Sequence, residues 1–161
     1  MFISGILSLF LLSCVSDPLV DLRERFPDPG LSAPEVVEIQ LRALQFNNPD
    51  DDGIEIVYRF AAPSNKLATG PLARFSRLFL SPQYAPMINS EEVELLDFRA
   101  QDDIALQGSR VVGEDGNEYF YLFILQKQGA GNYEDCWMTI GVQVYSGIFP
   151  SPDFSVDSQS I

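Results

Sequence analysis

Four cations stand in a stretch of chain that holds no carboxylate. From Ile56 to Ser90, 35 residues pass without one Asp or Glu, while Arg59, Lys66, Arg74 and Arg77 all fall inside. That segment carries +4 and the rest of the chain −17. Arg74 and Arg77 are three apart, a spacing that puts both on one face of a helix, with Leu72, Phe75 and Phe79 directed elsewhere. The chemistry open to such a set is reception of an acidic group. Asn65 and Thr69 lie between the cations and add hydrogen-bonding capacity, although both residue types also serve turns and caps. The alternative is intramolecular: the same arginines neutralise the protein's own Asp50 to Asp52, or Glu91 and Glu92, and hold helices to sheet.

Other chemistries are excluded by composition. Histidine is absent, which removes the imidazole general base near neutral pH, His-activated nucleophiles and imidazole metal sites. No cofactor and no metal is expected. Asp50, Asp51 and Asp52 lack the alternating ligands and closing Glu of a calcium loop, and fit the start of a helix better. With 23 acids against 10 bases, docking on nucleic acid is not expected. Cys136 sits between acids and an apolar run and reads as a buried structural thiol.

The chain opens MFISGILSLFLLSCVSDP, with 14 uncharged residues from Phe2 to Val15. This is short for a bilayer span of ~17–25 residues but fits the apolar part of a secretory signal. Leu11-Leu12-Ser13-Cys14 resembles a bacterial lipobox, which would make Cys14 a lipidation site. The expected location is exported, membrane-associated or periplasmic, with membrane association through the leader; the alternative is a soluble cytoplasmic protein. Residues 1–16 are thus read as leader, 17–31 as a tether marked by Pro18, Pro27 and Pro29, 32–147 as one domain and 148–161 as a flexible tail.

The elements that must position the cations begin at Ser32. Ser32-Ala33-Pro34-Glu35 has the pattern of a capping box with Pro in the first turn, and Val37, Leu41 and Leu44 make one apolar stripe, so a helix is expected over about 33–46. A second runs over about 51–61, and a third starts at Thr69-Gly70-Pro71 and ends at Ser81-Pro82. The period then changes to that of strands: Val93 to Ala100, Ile104 to Val112, Glu118 to Gln128 and Cys136 to Tyr145, with Asp115-Gly116 as a hairpin turn. Short connections make them an antiparallel meander, and three helices followed by a four-stranded curved sheet is an α+β arrangement.

The segments Glu35 to Phe75, Ser81 to Asn89 (SPQYAPMIN) and Cys136 to Thr139 (CWMT) resemble the uncharacterised DUF4864 family, placed with the NTF2-like (SnoaL-like, cystatin-like) α+β cones. The resemblance implies a cone-shaped pocket between helices and the concave sheet face, with Tyr58, Phe75, Tyr121 and Trp137 as lining candidates. Two function classes follow. One is a non-catalytic binding or accessory module for a small acidic ligand or a protein partner. The other is an isomerase or hydratase acting through Tyr58 or Tyr121 with Asp97. The first is favoured, because strand alternation turns Asp97 away from Leu96 and Phe98.

Overall fold

The computed structural model describes residues 17–146 and Ile148; Cys14, the leader and the tail beyond Ile148 lie outside the described residues. Among the described residues, five α-helices precede a four-stranded antiparallel sheet, giving an α+β fold. They are α1 (Leu19–Arg23), α2 (Ala33–Gln45), α3 (Asp52–Phe60), α4 (Pro63–Thr69) and α5 (Leu72–Phe75). Two 3-10 turns, Ser76–Leu80 and Ala85–Met87, lead into β1 (Glu92–Gln101), β2 (Ile104–Val112), β3 (Glu118–Lys127) and β4 (Trp137–Val144). The strands lie side by side in chain order.

α2 starts where its capping box dictates. The Ser32 N–H donates to Glu35 Oε2 at 2.8 Å and the Glu35 N–H points back to Ser32 Oγ at 3.5 Å. Its apolar stripe buries Val37, Leu41 and Leu44 together with Val36, Ile39 and Ala43. Phe46, at the C-cap, stays largely exposed. α3 is capped from upstream rather than by its own acids. Asn48 Oδ1 accepts from the Asp52 N–H at 3.0 Å and Asn47 Oδ1 from the Ile54 N–H at 3.3 Å, while Asp51 sits in the left-handed region at φ 61°. The two asparagines therefore end one helix and begin the next.

Residues expected as a tether pack onto the domain. Leu19 is 1% exposed and belongs to the main core. Arg23, in the last turn of α1, binds Asp52 through Nε and Nη2 at 3.1 and 2.7 Å, and Asp17 at 2.7 Å. An apolar anchor and an ion pair to α3 give this segment a fixed place that its proline content did not suggest. The single third helix of the sequence reading is also revised. α4 occupies Pro63–Thr69, and the part after Gly70 is one α-turn followed by a 3-10 turn. Gly70, at φ 85°, makes the break, and Tyr58 Oη donates to its carbonyl at 3.2 Å.

The ladder is interrupted by two bulges. On β1 the register shifts between Leu95, opposite Ser109, and Phe98, opposite Gln107. The buried Gln107 amide reaches three carbonyls there, those of Leu96 (3.0 Å), Asp97 (3.3 Å) and Gly108 (2.8 Å). On β4 the shift lies between Thr139, opposite Leu125, and Gly141, opposite Ile124, leaving Ile140 as the extra residue. Bulges increase local twist and bend the bulged strand. Tyr121, Phe123 and Leu125 of β3 join Ala105 and Val111 of β2 in the core shared with α2 and α3. The turn at Asp115-Gly116 closes as its residue types require: Gly116 takes φ 73° and Asp115 Oδ1 accepts from the Asn117 N–H at 3.0 Å.

Candidate functional site

The β4 bulge is also where the helices meet the sheet edge. Thr139 carries its carbonyl out of the ladder with β3, and two donors take it: the Ala62 N–H at 2.8 Å and Asn65 Nδ2 at 3.1 Å. Its hydroxyl pairs with the Gln40 side chain, whose Nε2 lies 2.9 Å from Thr139 Oγ1 and 3.1 Å from the Val36 carbonyl. One threonine thus ties α2, α4 and β4 together through buried hydrogen bonds.

Beside this knot lies a cavity of about 290 Å³, at the small end of the ~300–1,000 Å³ usual for ligand pockets. α2 contributes Gln40 and Leu44, α5 and the following 3-10 turn contribute Phe75, Leu78 and Phe79, and β3 and β4 close it with Phe123 and residues 139–142. Asn65, Ala68 and Thr69 line it from α4. No Asp, Glu, Lys, Arg or Cys is among its lining residues. Its polar groups are mostly engaged within the protein. Tyr84 Oη donates to the Val142 carbonyl at 2.9 Å, and burial raises its pKa above the ordinary tyrosine value. Thr69 Oγ1 donates to the Asn65 carbonyl at 2.8 Å. Asn65 Oδ1 accepts no hydrogen bond from another described residue.

Phe75 is the one aromatic candidate that lines this cavity. Tyr58, Tyr121 and Trp137 are placed elsewhere. Tyr58 packs against Phe75 at 5.2 Å between centroids and bonds to Gly70. Tyr121 is fully buried and donates to the Gln83 carbonyl at 3.0 Å, and burial pushes its pKa well above the usual tyrosine value. Trp137 is half-buried under the Lys127 ammonium, 5.5 Å from its ring centroid. Asp97 is exposed in the β1 bulge.

The cations separate into two groups. Arg59 is structural: its Nη1 donates to the carbonyls of Arg23 (2.7 Å) and Arg25 (2.8 Å), and its guanidinium lies 4.1 Å from the centroid of Phe26. It clamps the segment after α1 onto α3, with a loose pair to Glu55 at 3.9 Å. Lys66 is half-buried, with Nζ 3.3 Å from the Arg59 carbonyl and facing the rings of Tyr58 and Tyr133 at 5.2 and 5.7 Å. Desolvation lowers its pKa below the ordinary lysine value. Arg74 and Arg77 are exposed and make no ion pair with any described residue.

Two of the acids proposed as their internal partners, Asp52 and Glu92, are bound by other arginines. Asp52 is held by Arg23, whose guanidinium keeps the Asp52 carboxyl below the usual carboxylate range. Glu92 is held at 2.7 Å by Arg110, which also takes Glu94 and Glu118 at 2.9 Å each. Arg74 instead lays its stem over the corner: a Cβ at Gly70 would fall 2.8 Å from Arg74 Cδ.

Gln40, Tyr84 and Thr139 escaped the sequence reading. For Gln40 a signal existed, since it stands four residues after Val36 and four before Leu44, on the stripe that must be buried. Thr139 carries no such signal, because its role comes from a bulge that strand alternation does not announce.

A family model described as "Domain of unknown function (DUF4864)" matches residues 31–148. No curated protein and no solved structure matches the chain.

Proposed function

Because the chain belongs to the DUF4864 family, its role has to be read from its own cavity, and we propose that it is a non-catalytic ligand-binding or accessory module. The observation that carries this reading is the wall of the cavity. It is apolar, with a few amides and hydroxyls already bonded to the protein, and it contains no carboxylate, amine or thiol that could exchange a proton near neutral pH. Such a wall can hold and orient a guest. An isomerase or hydratase would need a base beside the substrate, and neither Asp97 nor Tyr58 nor Tyr121 lines the cavity.

The wider assignment to NTF2-like cones is part of the same proposal. It is supported by the long helix α2 packed on a four-stranded meander that two bulges bend around it. Export or membrane association is supported by the uncharged run from Phe2 to Val15. No helix among the described residues is long and apolar enough to cross a membrane.

Native mass spectrometry of the full chain purified from its own cells tests the binding role. A small-molecule mass that stays with the folded protein and leaves on denaturation is expected, and loss of that mass in Ala68→Trp, which blocks the cavity mouth, places it there. A ligand-free protein that turns over small carbonyl or hydroxy compounds would overturn the reading. Sequencing of the mature amino terminus tests the leader: an intact Met1 on protein recovered from the cytoplasm would count against export.

A further inference from the structure

Resting on the binding role just proposed, we infer that the guest is a free single-chain anionic amphiphile, such as a medium-chain carboxylate. Its tail lies in the cavity and its head group meets Arg74 and Arg77. Three observations converge on this class.

The interior rejects charge. None of the lining residues is ionised near neutral pH, and Gln40, Thr139 and Tyr84 already bond to one another or to backbone carbonyls. A charged group placed among them would lose its hydration with no counter-charge in return. The Asn65 amide, with its carbonyl oxygen unengaged, offers a polar contact to the part of the guest that enters.

The rim selects an anion. Arg74 lays its stem over Gly70, next to the lining residue Thr69, and Arg77 follows three residues on along the turn that carries the lining residues Leu78 and Phe79. No acid occurs anywhere from Ile56 to Ser90, although acids outnumber bases by more than two to one in the whole chain. Two exposed arginines without an ion partner among the described residues, in so acidic a chain, are available to a ligand.

Size sets the third limit. A volume of about 290 Å³ lies just under the ~300–1,000 Å³ usual for ligand pockets. That is room for one chain of moderate length, too little for the two chains of a membrane lipid. A bilayer is the rival occupant, because Leu67 and Leu80, neighbours of the lining residues Ala68 and Phe79, are 86% and 81% exposed.

The test is calorimetric titration of the full chain with decanoate, decan-1-ol and decyltrimethylammonium at low ionic strength. Decanoate is expected to bind at one site, more tightly than the alcohol and far more tightly than the cation, with an advantage over the alcohol that shrinks as salt rises. Arg74→Gln and Arg77→Gln keep most of each stem and are each expected to weaken decanoate up to about fivefold while leaving decan-1-ol unchanged. Ala68→Trp is expected to abolish both. Circular dichroism melts of the three variants confirm that each is folded.

Equal binding of decanoate and the alcohol, indifferent to both arginine variants, would overturn the anionic class while leaving the binding role standing. Decanoate binding that survives Ala68→Trp would overturn the location. Adherence to phosphatidylglycerol vesicles without decanoate binding in solution would overturn the free amphiphile in favour of the bilayer. No binding of any probe would overturn the inference, whereas the binding role itself is judged by native mass spectrometry and the turnover assay described above.

Discussion

Replacing Gly53 by Ala is expected to destabilise this fold, against the usual sign of that change. In a helix, Ala is ordinarily favoured over Gly by about 1 kcal/mol. Gly53 is buried in the first turn of α3, where α3 crosses α2, and a Cβ there would run into the Ala43 carbonyl and come 2.8 Å from Asn47 Oδ1. Neither neighbour can swing away. The first is main chain in the last turn of α2, held by the packing of that helix, and the second accepts the Ile54 N–H at 3.3 Å as part of the α3 cap.

Relief therefore requires the two helices to part, which loosens the packing of Ile54, Val57 and Leu44 in the shared core. Overpacking of this kind costs about 1–3 kcal/mol, and a weakened cap about 1 more. After the propensity gain, the net loss is about 1–3 kcal/mol, or a fall in Tm of roughly 4–12 °C for a domain of this size. Urea unfolding followed by far-UV circular dichroism reads the difference. Gly129→Ala serves as control, since a Cβ there meets nothing within 4 Å. A Gly53→Ala protein as stable as the parent, or more so, would refute the argument that α2 and α3 approach through this glycine.

Gln107→Leu should lower stability by about 1–3 kcal/mol in the same assay, because the carbonyls of Leu96, Asp97 and Gly108 lose a shared amide donor in a largely buried place; an unchanged midpoint would mean that water replaces the amide. The acid limb of the Tm against pH curve should be shallower in Asp52→Asn than in the parent. Hydrogen bonds from Arg23 and Asn48 depress the pKa of Asp52, so its contribution is complete above the ordinary aspartate value of ~3.9 and is lost as pH falls through the depressed one. Identical acid limbs would show that this pair does not hold α1 to α3. Cys136 is 3% exposed and burial raises its thiol pKa, so disulfide reagents at neutral pH should label it slowly until the domain unfolds; rapid labelling of native protein would contradict its burial.

Much of the frame was legible because it depends on rules that act over a few residues. The Ser32 capping box, the Asp115-Gly116 turn and the four strand segments each follow from neighbours along the chain, and the structure places them within a few residues of where those rules put them. The acid-free window is likewise a property of the chain itself: charges do not change sign on folding, so an unusual cationic segment was visible before any contact was known. The absence of histidine is of the same kind, and the chemistry it removes stays removed in any fold.

Contacts between distant segments were decided elsewhere. Leu19 fills the core and Arg23 takes Asp52, 29 residues on, because α1 folds back over α3; composition read that stretch as a tether. Arg59 looked equal to Arg74 and Arg77, yet it clamps backbone carbonyls 34 and 36 residues upstream while the other two stay exposed. Gln40 meets Thr139 across 99 residues only because one extra residue at Ile140 turns β4 toward the helices. Local rules determine which elements form. Where a strand bulges and how closely two helices cross determine which side chains meet, and for this protein that is what separates Arg59, which holds the fold, from Arg74 and Arg77, which stay exposed.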